Sequence, residues 1–595
     1  MCGVVGSFDF SENNFASSFE NIDNCLKGIS HRGPDNCNYF KWKNGFIGNT
    51  RLSIIDLDGG NQPFLSLDKS VALVQNGEIY NYKELQIELK KIGYVFKSDS
   101  DSEVLLAAYL IWGEDFVQKL NGMFAISIYD KRTDKLLLYR DRVGIKPLFY
   151  YFENQRFLFG SEIKSFLSGV WNREINLGAV YDYLKLNYVP PCNTIFKDIF
   201  HVPPGGKIII SNGKLVKSSW WNMPSKVGFN KNINNIEEEL YFQFDLAVKR
   251  RLVSDAPFGA FLSGGIDSSS VVYSMSKHLN REFETFTIGF DDPNYDESIY
   301  AKETSKIFCT NHNVEILDES SVSLWNKFIY HCDQPHGDVS FIPTMLLSNL
   351  ASKKVKMVLT GDGGDELFAG YNKYLPYESS CLGDRCLETY IENTSLMKKE
   401  LMGFLLKDEF AKKSRELSNI CKMKKKVETF SFSDDLNKVL LFDFLNLLPG
   451  NNLVKPDRMG MAHSLEARTP YLDHNLVELA FSLPGNIKIF NQTTKHILKN
   501  TLRDKLGKKI VNRKKQMFTV PIGDWFKESL KDYLSVNLLS ENSFSREICR
   551  LESLDSLIKL HHSGEKNYTR ELRALVSLNK WHDIFIKDLN LDSII

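Results

Sequence analysis

The stretch FLSGGIDSSS, Phe261 to Ser270, follows the apolar run GAFL and leads into SVVYSMSKHL. A β-favouring run, a glycine pair and a helix-favouring stretch confine this part of the chain to a strand, a tight turn and a helix. Strands separated by helices build a mostly parallel sheet that binds ligands at the carboxyl ends of its strands. Gly264 and Gly265 let the backbone approach an anion, and Ser263, Ser268 and Ser269 add hydroxyl donors. The helix supplies unpaired N–H groups and its positive dipole end. A carboxylate at Asp267 beside phosphate calls for a bridging cation, which points to Mg²⁺. The loop lacks the lysine of GxxxxGK[ST], so it is not the common nucleotide cradle. The plain alternative is a glycine-rich turn with a Ser/Asp cap; the fuller pattern favours nucleotide pyrophosphate.

The same rhythm continues. ETFTIGF precedes ESIYAKETSKIF, and VKMVLT precedes a second glycine-rich turn, LTGDGGDELFAGY, Leu359 to Tyr371. Asp362, Asp365 and Glu366 among three glycines suit a site that holds metal and positions an acceptor, although Asp and Gly also favour turns by themselves. From about Leu375 the chain reads as nearly all helix. The first two hundred residues differ: CGVVGSFDF, VALVQNGEIY, FAISIYD, KLLLYRD and RFLFGSE are short strand-like runs, with FAISIYD-KRTD-KLLLYRD a hairpin. LQIELKKIG and SEVLLAAYLIWGED are the better helices. Pro and Gly punctuation in HVPPGGKIII, then polar sequence to about Asn235, divides the chain into domains 2–215 and 236–595. A chain of 595 residues is too long for one core.

Lys plus Arg and Asp plus Glu number 74 each, so net charge gives no reason to expect nucleic acid as a partner. KMKKK, Lys422 to Lys426, reads as a solvated helix face. The first residues lack a signal-peptide pattern, and no apolar run approaches the ~18 residues of a membrane span. The ten cysteines show no CxxC pair, which argues against zinc sites and a disulfide framework. A reduced, cytoplasmic protein is expected.

Cys2 alone is ambiguous between a small hydrophobe on an edge strand and a nucleophile. With MCGVVG, HRGPD, RLSIIDL, QNGEIYN, SDSEVLL, LNGMFA and RDRVGIKPL, the first half resembles class II glutamine amidotransferases. FLSGGIDSSS resembles the PP-loop of the ATP pyrophosphatases, and with the second loop, RMGMAHSLEARTPYLD and TKHILK the second half resembles the synthetase domain joined to such amidotransferases. Together, in this order, they resemble the glutamine-hydrolysing asparagine synthetase family over nearly the whole chain. The implied fold is an N-terminal αββα sandwich of the N-terminal-nucleophile (Ntn) type, then an α/β parallel-sheet domain with a helical C-terminal part.

The resemblance makes Cys2 the nucleophile once Met1 is removed. A thiol near pKa ~8.5 and an α-amine near ~7.7–8.0 exchange a proton at little cost. It implies an oxyanion hole at Asn76 and Gly77, an α-carboxylate clamp at Arg51 and an α-ammonium partner at Asp101. Leu52, Ile54 and Glu78 complete the implied glutamine site. The implied ATP site comprises Leu262, Ser263, Gly264, Gly265, Asp267, Ser268, Ser269, Ile288, Thr360, Gly361 and Lys495, with Mg²⁺ on Asp267 and Asp365. Asp362 is the implied catalytic acid of the second loop. Arg468 is a further candidate phosphate cation, with Glu466 and Asp473 its alternative structural partners. The small-molecule partners are glutamine, ATP and an acceptor carboxylate, and the family allows a homodimer. Ammonia freed at Cys2 needs an internal route, because bulk water would protonate it.

Two departures bear on the acceptor. TGDGGDE places Asp362 where asparagine synthetases of the best-known type carry Glu, and HCDQPHGDVSFIPT, His331 to Thr344, differs from their aspartate-binding segment. This form resembles the asparagine-synthetase-like amidotransferases of surface-polysaccharide synthesis, some of which amidate uronic acids. The acceptor is therefore expected to be aspartate, with a sugar carboxylate as the alternative. A non-catalytic scaffold predicts lost catalytic residues, and they are all present.

Overall fold

Strand β1 (Cys2–Asp9) is buried at all eight positions. Its alternation explains why: Val4 and Phe8 face a core between two sheets, while Val5 faces an outer cluster with Ile22, Leu26 and Ile29. In a computed structural model, residues 2–10, 22–170, 173–224, 234–293, 295–432, 434–513 and 520–587 are described. Met1 and linker residues 225–233 lie outside them.

The strands that follow are β2 (Asn36–Trp42), β3 (Gly45–Arg51), β4 (Phe64–Leu65), β5 (Val71–Ile79) and β6 (Gly122–Asp130). Next come β7 (Lys135–Arg140), β8 (Phe149–Glu153), β9 (Arg156–Gly160), β10 (Ile199–His201), β11 (Gly206–Ser211) and β12 (Lys214–Ser219). Among the described residues they form two antiparallel sheets, β10-β8-β9-β1-β3-β2 and β12-β11-β7-β6-β5-β4. Strand β1 lies between β3 and β9, so the edge-strand alternative for CGVVGSF is wrong. Helices α1 (Tyr82–Lys91) and α2 (Asp101–Trp112) cover the outer face of the second sheet, where Leu85, Leu89 and Leu105 join Leu73 and Ile126. The αββα layering is present, as is the β6–β7 hairpin.

The second sheet system is parallel. Strands β13 (Phe258–Phe261), β14 (Glu284–Phe290), β15 (Asn311–Leu317), β16 (Met357–Leu359) and β17 (Glu466–Arg468) lie in the order β15-β14-β13-β16-β17. The chain builds outward from β13 to β15, then returns to the other side of β13. The topological switch therefore falls between β13 and β16, where open α/β sheets bind ligands. Strands β15 and β17 are absent from the sequence reading: NHNVEIL opens on three polar residues, and EAR is short enough to need its neighbour's ladder. The region after Leu375 is otherwise helical, and the KMKKK run lies on helix Ile420–Glu428 with only Met423 of the run buried.

One apolar cluster runs from the outer face of the β5 sheet into the second domain, joining Leu52, Ile54 and Tyr80 to Leu262, Leu359 and Tyr471. Helices α3 (Ile266–His278), α4 (Trp325–Cys332), α5 (Gly364–Phe368), α6 (Val454–Met461) and α7 (His496–Leu506) carry the groups described next. Among the described residues, no helix is long and apolar enough to cross a membrane.

Candidate active sites

At the start of β1, the Cys2 main-chain nitrogen donates to Asn76 Oδ1 at 3.3 Å. Asn76 Nδ2 donates to Ser161 Oγ at 3.3 Å, and that oxygen accepts from the Val4 N–H at 3.0 Å, so the amide is braced on both sides. Gln62 Nε2 lies 3.9 Å from Cys2 Sγ, and Gln62 Oε1 accepts from the Gln75 N–H at 2.6 Å. Burial pushes the Cys2 thiol up; the Leu52 N–H, the Asn49 side chain and the Arg51 charge pull it back. Gly77 has φ +153°, and a Cβ there would fall 2.0 Å from the Met123 carbonyl oxygen, so only glycine fits.

Arg51 sits opposite Cys2 in the β1–β3 register. Its terminal nitrogens donate to the carbonyls of Ile55, Asp56 and Leu57 and to Asn61 Oδ1, which wraps the loop after β3 around the guanidinium. Asp101 accepts from Gln75 Nε2 at 2.9 Å and the Ile79 N–H at 3.0 Å. Burial raises its carboxyl, and those two donors offset part of the rise. Ser100 caps α2, its side chain accepting from the Ser102 N–H, which leaves the Asp101 carboxylate to these partners. Leu52 and Ile54 are buried beside the domain boundary, where the Asp255 N–H donates to the Ile54 carbonyl at 2.9 Å.

The second site forms at the switch point. The Leu262 N–H donates to the Phe286 carbonyl at 2.9 Å, and Leu262, just past the end of β13, and Ile288, on the neighbouring β14, are both buried. In the turn, Gly264 has φ +72°, Ser268 Oγ accepts from the Ser263 N–H at 3.1 Å, and Ser269 Oγ is buried with no protein partner among the described residues. The two loops touch: a Cβ on Gly361 would meet Asp267 Cβ at 2.8 Å, and one on Gly364 would meet Asp267 Oδ1 at 2.7 Å. Thr360 Oγ1 donates to Asp362 Oδ2 at 2.7 Å. Lys495 Nζ joins the loops, 2.5 Å from Asp267 Oδ2 and 2.6 Å from Asp365 Oδ1. Burial alone would lower this lysine, but the two carboxylates hold its ammonium above the ordinary value. Its backbone is left-handed, φ 54° and ψ 32°, a strained conformation for a residue with a side chain. Two hard-oxygen donors converging on one cation fit Mg²⁺.

Other residues land elsewhere. Arg468 is fully buried at the domain interface and is not a phosphate cation: it pairs with Glu466 at 2.5 Å, reaches Glu78 at 3.5 Å and donates to the Arg251 and Val253 carbonyls. Asp473 pairs instead with Arg251 at 3.1 Å. Glu78, expected in the glutamine site beside Gly77, also contacts the second domain through Arg468, and its carboxyl is driven well up by burial and by the Glu466 charge. In the HCDQPHGD stretch, Asp333 accepts from the Ile163 N–H at 2.8 Å and Gln334 Oε1 from the Ile195 N–H at 2.9 Å. These two side chains serve the interface between the two halves of the chain.

The sequence reading missed several neighbours. Arg32 donates from Nε to the Cys2 carbonyl at 3.2 Å and from Nη1 to Glu162 at 2.7 Å; it lies in HRGPD, so a signal existed. Gln62, Ser161 and Arg513 carried none. Arg513 Nη1 donates to the Ser263 carbonyl at 2.9 Å from a distant part of the chain, and its guanidinium stacks on Tyr300.

Known proteins match this layout. A family model described as asparagine synthase matches residues 239–583, and one described as glutamine amidotransferase domain matches residues 1–221. Asparagine synthetase [glutamine-hydrolyzing] 1 of Bacillus subtilis (strain 168) is 32% identical over 626 residues, covering 99% of this chain and 97% of its own. Asparagine synthetase [glutamine-hydrolyzing] 3 of the same organism is 30% identical, covering 99% and 100%. Putative asparagine synthetase [glutamine-hydrolyzing] 2 of Methanocaldococcus jannaschii is 37% identical, covering 63% of this chain and 76% of its own.

Proposed function

The chain belongs to the glutamine-hydrolysing asparagine synthetase family, and from that premise we propose that it converts L-aspartate, L-glutamine, ATP and water to L-asparagine, L-glutamate, AMP and pyrophosphate. In this reading residues 2–215 hydrolyse glutamine and residues 236–595 activate the acceptor. With Met1 removed, the α-amine of Cys2 takes the thiol proton and the thiolate attacks the glutamine amide carbon. Asn76 and the Gly77 N–H stabilise the oxyanion, and Arg51 and Asp101 hold the α-carboxylate and α-ammonium. The ammonium of the amine returns its proton to the departing ammonia, and water, deprotonated by the freed amine, then hydrolyses the Cys2 thioester to release glutamate.

At the second site the aspartate side-chain carboxylate attacks the α-phosphorus of ATP, and pyrophosphate leaves. Ammonia then attacks the acyl-adenylate carbonyl, Asp362 takes a proton from it, and AMP departs. Asp267 and Asp365 would hold Mg²⁺, which neutralises phosphate charge. Leu262 and Ile288 flank the adenine, the Ser263–Ser269 turn and Thr360–Gly361 carry the phosphates, and Lys495 balances the charge that builds on them.

The observation that carries this reading is the meeting of Asp267, Asp365 and Lys495 where two strand-end loops converge. A uronic-acid acceptor is the second reading, favoured by the shorter Asp362. AMP formation against a panel of carboxylic acids, with glutamine present, tests both. Aspartate-dependent AMP and asparagine are expected; AMP formed only with a hexuronic acid would replace the first reading with the second.

A further inference from the structure

The glycine turn after β13 is held from a distant part of the chain. Arg513, two residues beyond helix Lys508–Val511, donates from Nη1 to the Ser263 carbonyl at 2.9 Å. Its other terminal nitrogen, Nη2, pairs with the Glu297 carboxylate, and its guanidinium carbon lies 3.9 Å from the centroid of the Tyr300 ring. Glu297 stands just ahead of helix Ser298–Ile307, and Tyr300 lies in the first turn of that helix. The glycine turn packs on the same helix: a Cβ on Gly264 would fall 2.6 Å from the Tyr300 carbonyl carbon and 2.8 Å from the Ala301 nitrogen. Residues 263–264, 297–301 and 513 thus meet around one guanidinium. A planar fork over a ring, with one arm on a carboxylate and the other on a carbonyl, uses what arginine has and lysine lacks.

We propose, resting on the ATP reading of this turn, that Arg513 is its positioning residue: through the Ser263 carbonyl it holds the 263–264 peptide in the orientation that presents the Gly264 N–H to the pyrophosphate part of ATP. A trans peptide is planar, so the Ser263 carbonyl and the Gly264 N–H point in opposite directions. Fixing the carbonyl on Arg513 therefore turns the N–H away from Arg513. Gly264, at φ +72°, has no Cβ to restrain rotation of this unit. A flipped peptide would aim the negative carbonyl end at the phosphates. Successive N–H groups bind an anion only when they converge on it. Arg513 disfavours the flip by giving the carbonyl a charge-assisted hydrogen bond, roughly twice as strong as a neutral one. The guanidinium acts through the backbone, with its arms and face taken by Ser263, Glu297 and Tyr300.

This contact brings the C-terminal helical region to the nucleotide. Lys509 reaches the same helix, 2.7 Å from Glu303, but its side chain is 75% exposed and such a pair holds little. The Arg513 and Glu297 side chains are 11% and 13% exposed, so water weakens their attraction far less. Lys495 answers the phosphate charge; Arg513 sets the shape of the turn that receives it.

The test titrates full-length protein with ATP, pyrophosphate and AMP, each with Mg²⁺, by calorimetry, beside thermal melts and glutaminase assays. Arg513→Met should weaken ATP and pyrophosphate binding about ten- to hundredfold, the scale of one lost hydrogen bond to a charged group. AMP, which lacks the pyrophosphate, should keep its affinity, and glutamine hydrolysis should not change. Arg513→Lys, which keeps the charge but not the fork, should recover part of the loss. Parental ATP and pyrophosphate affinity in a folded Arg513→Met chain would overturn the proposal. Equal losses for AMP and pyrophosphate would also overturn it, because they mark a merely structural role. Should Arg513→Met melt below the assay temperature, parental affinities in Arg513→Lys would overturn it instead. Absence of ATP binding in the parent would overturn the ATP reading itself, a result distinct from any change confined to the variants.

Discussion

Arg32 holds Asp457 through both terminal nitrogens, Nη1 to Oδ2 at 3.0 Å and Nη2 to Oδ1 at 3.1 Å, across the domain boundary. The same guanidinium donates to the Cys2 carbonyl, so the first residue of the glutaminase site is tied to α6 of the synthetase domain through one side chain. Burial alone would raise Asp457, yet Arg32 and Lys146 hold it below the ordinary carboxylate range.

Breaking that pair should be costly. Asp457→Asn leaves Arg32 and Lys146 short of a counter-charge, a loss of about 3–5 kcal/mol for a buried pair. Urea unfolding should show a lower midpoint, and glutamate formed per amide should rise as the two sites lose register. An unchanged midpoint would show that the pair adds nothing to stability.

Cys2→Ala should abolish glutamine hydrolysis while added ammonia still supports amide formation. A chain that keeps a residue ahead of Cys2 loses the amine base, worth about 10²–10⁴ in rate. Intact mass beside glutaminase assays checks both. Loss of ammonia-dependent synthesis in a folded Cys2→Ala chain would contradict two separable sites.

Lys495→Met should lower acceptor-dependent AMP formation by about 10²–10³, the scale of one lost transition-state contact. Glutamine hydrolysis should persist. Equal AMP formation would remove Lys495 from the site.

Gly77→Ala forces a side chain against the Met123 carbonyl and strains a positive φ, at a cost of at least about 1–3 kcal/mol. The expected outcome is a lower Tm together with lost glutaminase activity. A normal Tm with normal hydrolysis would mean that the strand relaxes freely.

Asp182 supplies a pH dependence. Burial raises its carboxyl to about 6, against the offsetting Ser418 and Asn419 donors. The folded state therefore holds a proton that the unfolded state releases near pH ~3.9, so stability falls as pH rises from about 4 to about 6. The loss approaches about 3 kcal/mol at ~1.4 kcal/mol per pH unit. Asp182→Asn should flatten that part of the Tm–pH curve and raise Tm at pH 8; an unchanged curve would place the titration elsewhere.

Local chemistry made much of this molecule legible in the sequence. FLSGGIDSSS and LTGDGGDELFAGY had to be strand-to-helix turns, because glycine spacing and flanking periodicity are local properties. The FAISIYD–KLLLYRD hairpin and α2 followed from alternation and from a capped apolar run. Cys2, Asn76 and Gly77 were nameable because their neighbours along the chain carry motifs. Other features needed the folded chain. Strand β17 exists because β16 offers it a ladder, and Arg468 faces an interface because Glu78 waits there from the other domain. Asp333 and Gln334 turn toward residues 163 and 195, and Arg513 meets Ser263, through contacts that no local pattern records. The sequence determined which residues could do chemistry, since that depends on side-chain type and near neighbours. Only the tertiary structure decided which of them share a site, because burial and pairing across domains are set by distant parts of the chain.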